Sequence, residues 1–337
     1  MLPQPRRILI IQLRRIGDVL LTAPATETLA RAFPQAKIDF ITERPCDEVL
    51  RGNPHVADVI IYDRRHPLKA FFDVRRRKYD WVIDLMTNPR TRLIALFSGA
   101  PLRAGPAFSS AKWAYNVLLP LLDNNIYAGF KKVKMLEPLG VKTDACPRPF
   151  FALPPFAAQY RRGVFEGLGI RPGDLIIGLA PASRKATRRW PAEHYAELAR
   201  LAAKELGAKT LVFCGPGEED IAAEIAGKSG GAALIPPPSK SLAELASLLA
   251  GLKVLVCNCN GTKHLAAAAG TPTLEIYGMS NPASWHLPGD PRHRAVYRTD
   301  LPCIGCGKSD CDIGIKCLRE LPPQTVFGEL RELLSRL

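Results

Sequence analysis

The sequence has no stretch of about 18 uncharged apolar residues, so it offers no membrane span. Arginines precede its first apolar run, but that run is short and is broken by Arg14 and Arg15, which is not the pattern of a secretory signal. A cytoplasmic location is therefore expected. No GxGxxG follows the first predicted strand and no Walker sequence is present, so neither a dinucleotide fingerprint nor a P-loop is supported. Low-complexity segments and short-period repeats are missing as well, which excludes solenoids and arrays. Aromatic residues make up only 7%, and no nucleic-acid-binding module or interleaved aromatic platform accompanies the positive charge. Nucleic acid is not the expected partner.

What is present is a chain of 337 residues with a formal charge of +14. The charge is uneven: residues 1–150 hold 24 Lys/Arg against 14 Asp/Glu, a net of +10, and the remainder a net of +4. A field of this kind attracts phosphorylated substrates, acidic lipid surfaces or other polyanions. The alternative is a generically basic, solvated surface. Nine cysteines are many for a cytoplasmic chain.

Short apolar runs alternate with amphipathic stretches. Strands are expected at 8–13, 37–42, 59–62 and 81–85, then at 175–180, 210–214, 233–235, 254–257 and 273–277. Helices are expected at 26–33, 46–51 and 70–78, then at 192–206, 218–228, 242–250 and 264–269. Strands separated by helices imply parallel sheets built from βαβ units, and the series restarts near residue 172. The expected organisation is a first α/β domain over 1–155, a second over 173–322, and a terminal amphipathic helix over 323–337. The proline-rich stretch ACPRPFFALPPFAAQYRR reads as the linker.

Four strand-to-helix loops carry the chemistry, because ligands of parallel α/β sheets bind outside the carboxyl ends of the strands. In RRIGDVLLTAP, residues 14–24, Gly17 permits a tight turn and Asp18 falls at a helix start. Asp18 is either a helix cap or a carboxylate held over a cleft as a general base, with Arg14 and Arg15 drawing in an anionic substrate. Pro24 requires that the helix kink there or begin later. The loop 181–191 contains Arg184, Lys185, Arg188 and Arg189, which are either solvated or a guanidinium-rich cradle for a diphosphate. In CGPGEED, Glu218 and Glu219 either favour a helix start or accept hydrogen bonds from ribose hydroxyls. In VCNCNGTKHLAAAAGTP, the free N–H groups of a helix beginning near Lys263 or His264 can hold phosphate oxygens, and His264 can equally be a satisfied, partly buried side chain.

Taken in order, ILIIQLRRIGDVLLTAPATETLARAFPQAKIDFIT, YDWVIDLMTNPRTRLIALFSGAPLRAG, RRWPAEHYAELA, FCGPGEE and NGTKHLAAAAGTPTLEIYG resemble glycosyltransferase family 9, the lipopolysaccharide heptosyltransferases, over nearly the whole chain. The resemblance implies a GT-B fold: two Rossmann-like parallel-sheet domains facing a cleft, with the C-terminal helix returning to the first. It implies an inverting transfer of heptose from ADP-heptose to a phosphorylated, lipid-linked glycan at the cytoplasmic face of the inner membrane. Asp18 is then the general base. Acceptor contacts are expected from Arg14, Arg15, Asn88, Arg90 and Arg92. Donor contacts are expected from Lys185, Arg188, Arg189, Glu218, Glu219, Asn260, Gly261, Thr262, Lys263 and His264. No cofactor is required in this picture, because fixed cations and a helix terminus stabilise the leaving diphosphate. One departure stands out. The family pattern D-x-G-x-x-H retains Gly261 and His264, but Cys259 replaces the aspartate and Asn260 a Ser/Thr, while Lys263 replaces a usually apolar residue and is expected to make the loop more positive. That departure motivates the rival reading of a non-catalytic module that binds a sugar nucleotide or a glycan.

Near the C-terminus, Cys303, Cys306, Cys311 and Cys317 have the spacing C-x2-C-x4-C-x5-C. Four thiolates can bind zinc, although this spacing is tighter than common two-knuckle sites. Reduced thiols, or disulfides formed on isolation, are the alternatives.

Overall fold

The structure is a computed structural model, and it describes residues 3–108 and 113–337. The chain divides into two compact units, Met1–Ala152 and Leu153–Leu337.

In the first unit the strands are β1 (Arg7–Ile11), β2 (Lys37–Thr42), β3 (Asp58–Ile61), β4 (Trp81–Asp84), β5 (Leu102–Pro106) and β6 (Val117–Leu119). The helices are α1 (Ile16–Leu20), α2 (Ala23–Ala32), α3 (Pro67–Arg76), α4 (Pro89–Phe97) and α5 (Ala128–Lys134). All strand pairs are parallel, in the order β3-β2-β1-β4-β5-β6. Ile8, Leu9, Ile10 and Ile11 are wholly buried, as a central strand covered on both faces requires. Pro24 lies in the first turn of α2, so the predicted helix is two helices, and the proline starts the second instead of bending one.

The second unit contains β7 (Ile176–Ala180), β8 (Lys209–Val212), β9 (Ala233–Leu234), β10 (Val254–Asn258), β11 (Thr273–Ile276) and β12 (His293–Val296). Its helices are α6 (Ala157–Gly167), α7 (Ala192–Leu206), α8 (Glu219–Lys228), α9 (Leu242–Leu249), α10 (Gly261–Ala268), α11 (Pro282–Trp285), α12 (Lys316–Arg319) and α13 (Pro323–Leu334). Its parallel sheet has the order β12-β11-β10-β7-β8-β9. Numbered from the start of its own unit, this is the same winding as the first sheet. The expected linker is extended only up to its last prolines; from Ala157 it is helix, and α6 packs on α9. The terminal helix α13 packs on α7, β11 and β12 and sends Val326, Phe327, Leu330 and Leu333 into the second unit's core.

In each sheet the winding reverses direction between two neighbouring strands, β1 and β4 in the first and β7 and β10 in the second. The loops leaving the carboxyl ends of such a pair diverge and leave a crevice for a ligand. The opening stretch follows β1, the Asn88 loop follows β4, the Arg/Lys loop follows β7, and the Asn260 loop follows β10.

Candidate active site

At the first crevice, Asp18 is the third residue of α1. Its Oδ2 accepts the N–H of Arg15 at 3.3 Å, which helps to fix the helix start. Its Oδ1 accepts no hydrogen bond among the described residues. The cap and the poised carboxylate are therefore compatible: one oxygen holds the turn and the other is open. Burial pushes the Asp18 carboxyl above the usual carboxylate range, and the Lys132 ammonium pulls it part of the way back.

Lys132 was not among the expected site residues. It arrives from α5, half-buried as a residue, with its ammonium enclosed beneath the loop. Its Nζ donates to Gln12 Oε1 at 2.6 Å, Thr22 Oγ1 at 2.7 Å and the backbone oxygen of Asp18 at 3.2 Å. Gln12 in turn donates to the Arg14 carbonyl at 2.6 Å, so one buried cation ties together the strand end, the arginine pair and the base. Burial lowers the Lys132 pKa to about 8, against the opposing pull of Asp18 and Asp84. Arg14 is half-buried and Arg15 exposed beside this group.

Across the crevice, wholly buried Asp84 closes β4. Its Oδ1 accepts the N–H groups of Met86 at 2.9 Å and Thr87 at 3.0 Å, and its Oδ2 accepts the Tyr115 hydroxyl at 2.6 Å. Desolvation raises its pKa, with these hydrogen bonds opposing. The loop so held carries Asn88, which caps α4 by accepting the N–H groups of Arg90 at 2.9 Å and Thr91 at 3.1 Å. Its buried Nδ2 has no partner among the described residues. Arg90 lies 3.6 Å from Glu43, a carboxylate that also takes Arg64 Nε at 2.9 Å and Nη2 at 2.6 Å. Arg92 is half-buried near Tyr115. The structure thus brings Asp18, Arg14, Arg15, Asn88, Arg90 and Arg92 to one end of one sheet, and adds Lys132, Asp84, Glu43 and Arg64. Cys46 lies close by; burial, with Glu43, Asp47 and Asp18, drives its thiol up to about 12, so it stays protonated.

At the second crevice, Arg188 has a buried Nε with no hydrogen-bond partner among the described residues. A buried guanidinium N–H without a partner is unfavourable unless a ligand supplies the acceptor. Arg189 Nε donates to the Ser183 carbonyl at 2.6 Å, and Lys185 Nζ reaches Ser309 Oγ at 2.6 Å. Gly261 is exposed and Thr262 half-buried at the start of α10.

Several of the residues expected at the donor already have partners within the unit. Lys263 does not make the loop more positive. It is 1% exposed, and its Nζ donates to Glu275 Oε2 at 3.1 Å, to the Tyr277 hydroxyl at 2.8 Å and to the Trp285 carbonyl. Asn260 is likewise occupied, donating to the Ala180 and Ala182 carbonyls at 3.1 and 2.8 Å and accepting the Lys263 N–H at 3.0 Å. Its work is to clamp β7 to β10 and to cap α10. His264 is buried, and burial, with Lys263 beside it, pushes its imidazole well below the usual histidine range. Glu218 accepts the Gly215 N–H at 2.9 Å, and backbone amides at the α8 start lower the Glu219 pKa, so both carboxylates serve the turn. All nine cysteines are free, and no group of three His, Cys, Asp or Glu among the described residues is arranged to hold a metal ion. Cys317 is buried. Burial, then the sulfurs of Cys303, Cys311 and Cys306, raises its thiol to about 11.

Two doubly wound parallel sheets, each with basic or carboxylate-bearing loops at its reversal point, are the architecture of the GT-B glycosyltransferases. Comparison with known proteins agrees. The model of glycosyltransferase family 9 (heptosyltransferase) matches residues 68–315, and the chain belongs to that family. It is similar to lipopolysaccharide heptosyltransferase 1 of Pseudomonas aeruginosa, at 26% identity covering 97% of this chain and 98% of that protein. The crystal structure of the family 9 glycosyl transferase from Veillonella parvula superposes with a TM-score of 0.88 at 24% identity, covering 100% of this chain and 99% of that one. The Escherichia coli ADP-heptose lipopolysaccharide heptosyltransferase II does so with a TM-score of 0.80 at 22% identity, covering 98% and 99%. The chain is thus a glycosyltransferase of the heptosyltransferase family. Among its described residues no helix is long and apolar enough to cross a membrane.

Proposed function

We propose that the protein transfers heptose from ADP-heptose to a hydroxyl of an anionic, lipid-linked lipopolysaccharide core, inverting the anomeric carbon, with Asp18 as general base. The acceptor hydroxyl gives its proton to Asp18 Oδ1 while its oxygen bonds to the anomeric carbon. The bond from that carbon to the diphosphate oxygen breaks, and the electron pair leaves with ADP. Arg188, with Lys185 and Arg189, faces the negative charge that grows on the leaving diphosphate, and the amides of Gly261 and Thr262 add the favourable end of the α10 dipole. Arg14, Arg15 and Arg90 meet the phosphates of the acceptor, whose lipid keeps the protein peripheral at the cytoplasmic face of the inner membrane. The Lys132 ammonium favours the ionised form of Asp18 against the effect of its burial.

One observation carries the reading: a carboxylate with an open oxygen, backed by a buried ammonium, at the reversal point of the more basic unit. Purified protein incubated with ADP-heptose and a heptose-free core acceptor tests it. The acceptor should gain one heptose for each ADP released. Neither product forming, or UDP- or GDP-sugars serving in place of the adenine nucleotide, overturns the assignment. A module that only binds would hold the nucleotide without releasing ADP.

A further inference from the structure

We propose that the outer face of the α3–α4 helix pair is a docking surface for an anionic lipid bilayer. Among the described residues, the three most exposed large hydrophobic side chains are Phe72 at 72%, Leu68 at 67% and Phe97 at 59%. All three lie on these two helices. Leu68 and Phe72 are four residues apart on α3, and Leu93 and Phe97 four apart on α4, so each pair shares one helical face. The helices touch, and the rings of Phe71 and Phe97 meet edge to face at 5.6 Å, which joins the two apolar stripes. The opposite sides of the same helices, through Ala70, Val74, Ile94 and Ala95, already fill the core against the sheet. Leu68, Phe72 and Leu93 are therefore not what seats the helices on the sheet, and with Phe97 they form an apolar patch that water covers at a free-energy cost.

The charge around the patch selects the occupant. From Asp63 to Lys78 the chain carries seven Lys/Arg and two Asp. Arg65, Lys69, Arg75 and Arg76 are exposed, with Lys69 lying in sequence between Leu68 and Phe72. A second copy docking the same face would bring two such cationic rims together. An anionic bilayer instead takes the aromatic and leucine side chains into its headgroup boundary and the lysine and arginines into its surface field.

The position also suits the acceptor. Helix α3 begins three residues after Arg64, which is bound to Glu43 beside Arg90. The patch thus starts at the end of the sheet where Asp18 lies, so that a lipid-anchored acceptor is delivered without leaving its leaflet. This last point rests on the transferase reading; the docking surface itself does not.

The test uses the full chain and flotation with vesicles, one set of phosphatidylethanolamine with phosphatidylglycerol and one of phosphatidylcholine alone. The protein should float with the anionic vesicles, and less so as salt is raised. Phe72→Ser with Phe97→Ser should reduce that binding at least tenfold while leaving turnover on a delipidated, water-soluble acceptor within twofold. Lys69→Glu with Arg76→Glu should weaken binding to anionic vesicles. Equal flotation of the aromatic double variant and the wild type overturns the proposal, as does wild type that ignores anionic vesicles. So does a concentration-dependent dimer that the aromatic substitutions abolish without changing vesicle binding, which would assign the patch to a second copy. Vesicle binding without heptose transfer removes the transferase reading alone; transfer to the soluble acceptor without vesicle binding removes the docking surface alone.

Discussion

Replacing Lys263 by methionine should damage the fold of the second unit, not the recognition of the donor. The ammonium is 1% exposed and its partner Glu275 is equally buried, 3.1 Å away. Burial alone would push the Glu275 carboxyl up. Lys263 beside it overrides that, helped by hydrogen bonds to His286 and Tyr277, and holds the carboxyl well below the usual range. Lys263→Met leaves a buried carboxylate with Thr273, Tyr277 and His286 but no permanent cation. Breaking a buried pair by removing one partner costs about 3–5 kcal/mol, because the remaining charge stays desolvated. The double variant Lys263→Met with Glu275→Leu leaves no bare charge and should recover much of the loss. Equilibrium urea unfolding, followed by the fluorescence of buried Trp190 and of Trp285, measures both. The pH dependence gives a second check. Since the folded pKa of Glu275 is depressed, its stabilising contribution is complete above the unfolded carboxylate value of about 4.3 and is lost as pH falls through that value towards the folded one. Wild type should therefore lose stability below about pH 5 more steeply than the double variant. A Lys263→Met protein within about 1 kcal/mol of wild type, far less than a buried pair requires, combined with a raised KM for the sugar nucleotide, would refute this reasoning and return Lys263 to the donor site.

Lys132→Met removes the cation that lowers the Asp18 pKa, so more Asp18 is protonated at a given acidic pH; the acid limb of the kcat profile should move to higher pH, while the KM for the nucleotide sugar stays put. Arg188→Ala should weaken ADP binding by about tenfold or more, the scale of a lost charge-assisted hydrogen bond, as measured by calorimetry. At Gly105 an added Cβ would fall 2.4 Å from the Tyr115 ring. Gly105→Ala must therefore displace the hydroxyl that caps Asp84; a loss of about 1–3 kcal/mol is expected in thermal unfolding, and an unchanged Tm would contradict that packing.

The alternation of apolar runs and amphipathic stretches carried most of the architecture, because central strands such as Ile8–Ile11 are buried on both faces and a helix such as Ala192–Leu206 has one apolar side. The elements that escaped lack that signature. Helix α4 shows Leu93, Leu96 and Phe97 to solvent and Ile94 and Ala95 to the core, so its sequence is apolar nearly all round. Strand β5 contains a glycine and a proline, and β6 has only three residues. Asp18 and the arginines were legible because a turn after a strand has few uses for that combination. Lys132 was not: within KKVK it reads as one more solvated charge, and its burial depends on Gln12 and Thr22, more than 100 residues away in sequence. Lys263 did leave a trace, since Glu275 in the otherwise apolar strand TLEI needs a buried cation near it.

Asp18→Asn keeps an oxygen to accept the Arg15 N–H but cannot take the acceptor's proton. Turnover with ADP-heptose should fall by about 10²-fold or more, the usual worth of a general base, while calorimetry finds ADP bound about as tightly as by wild type. An Asp18→Asn protein that transfers heptose at close to the wild-type rate would show that Asp18 is not the base.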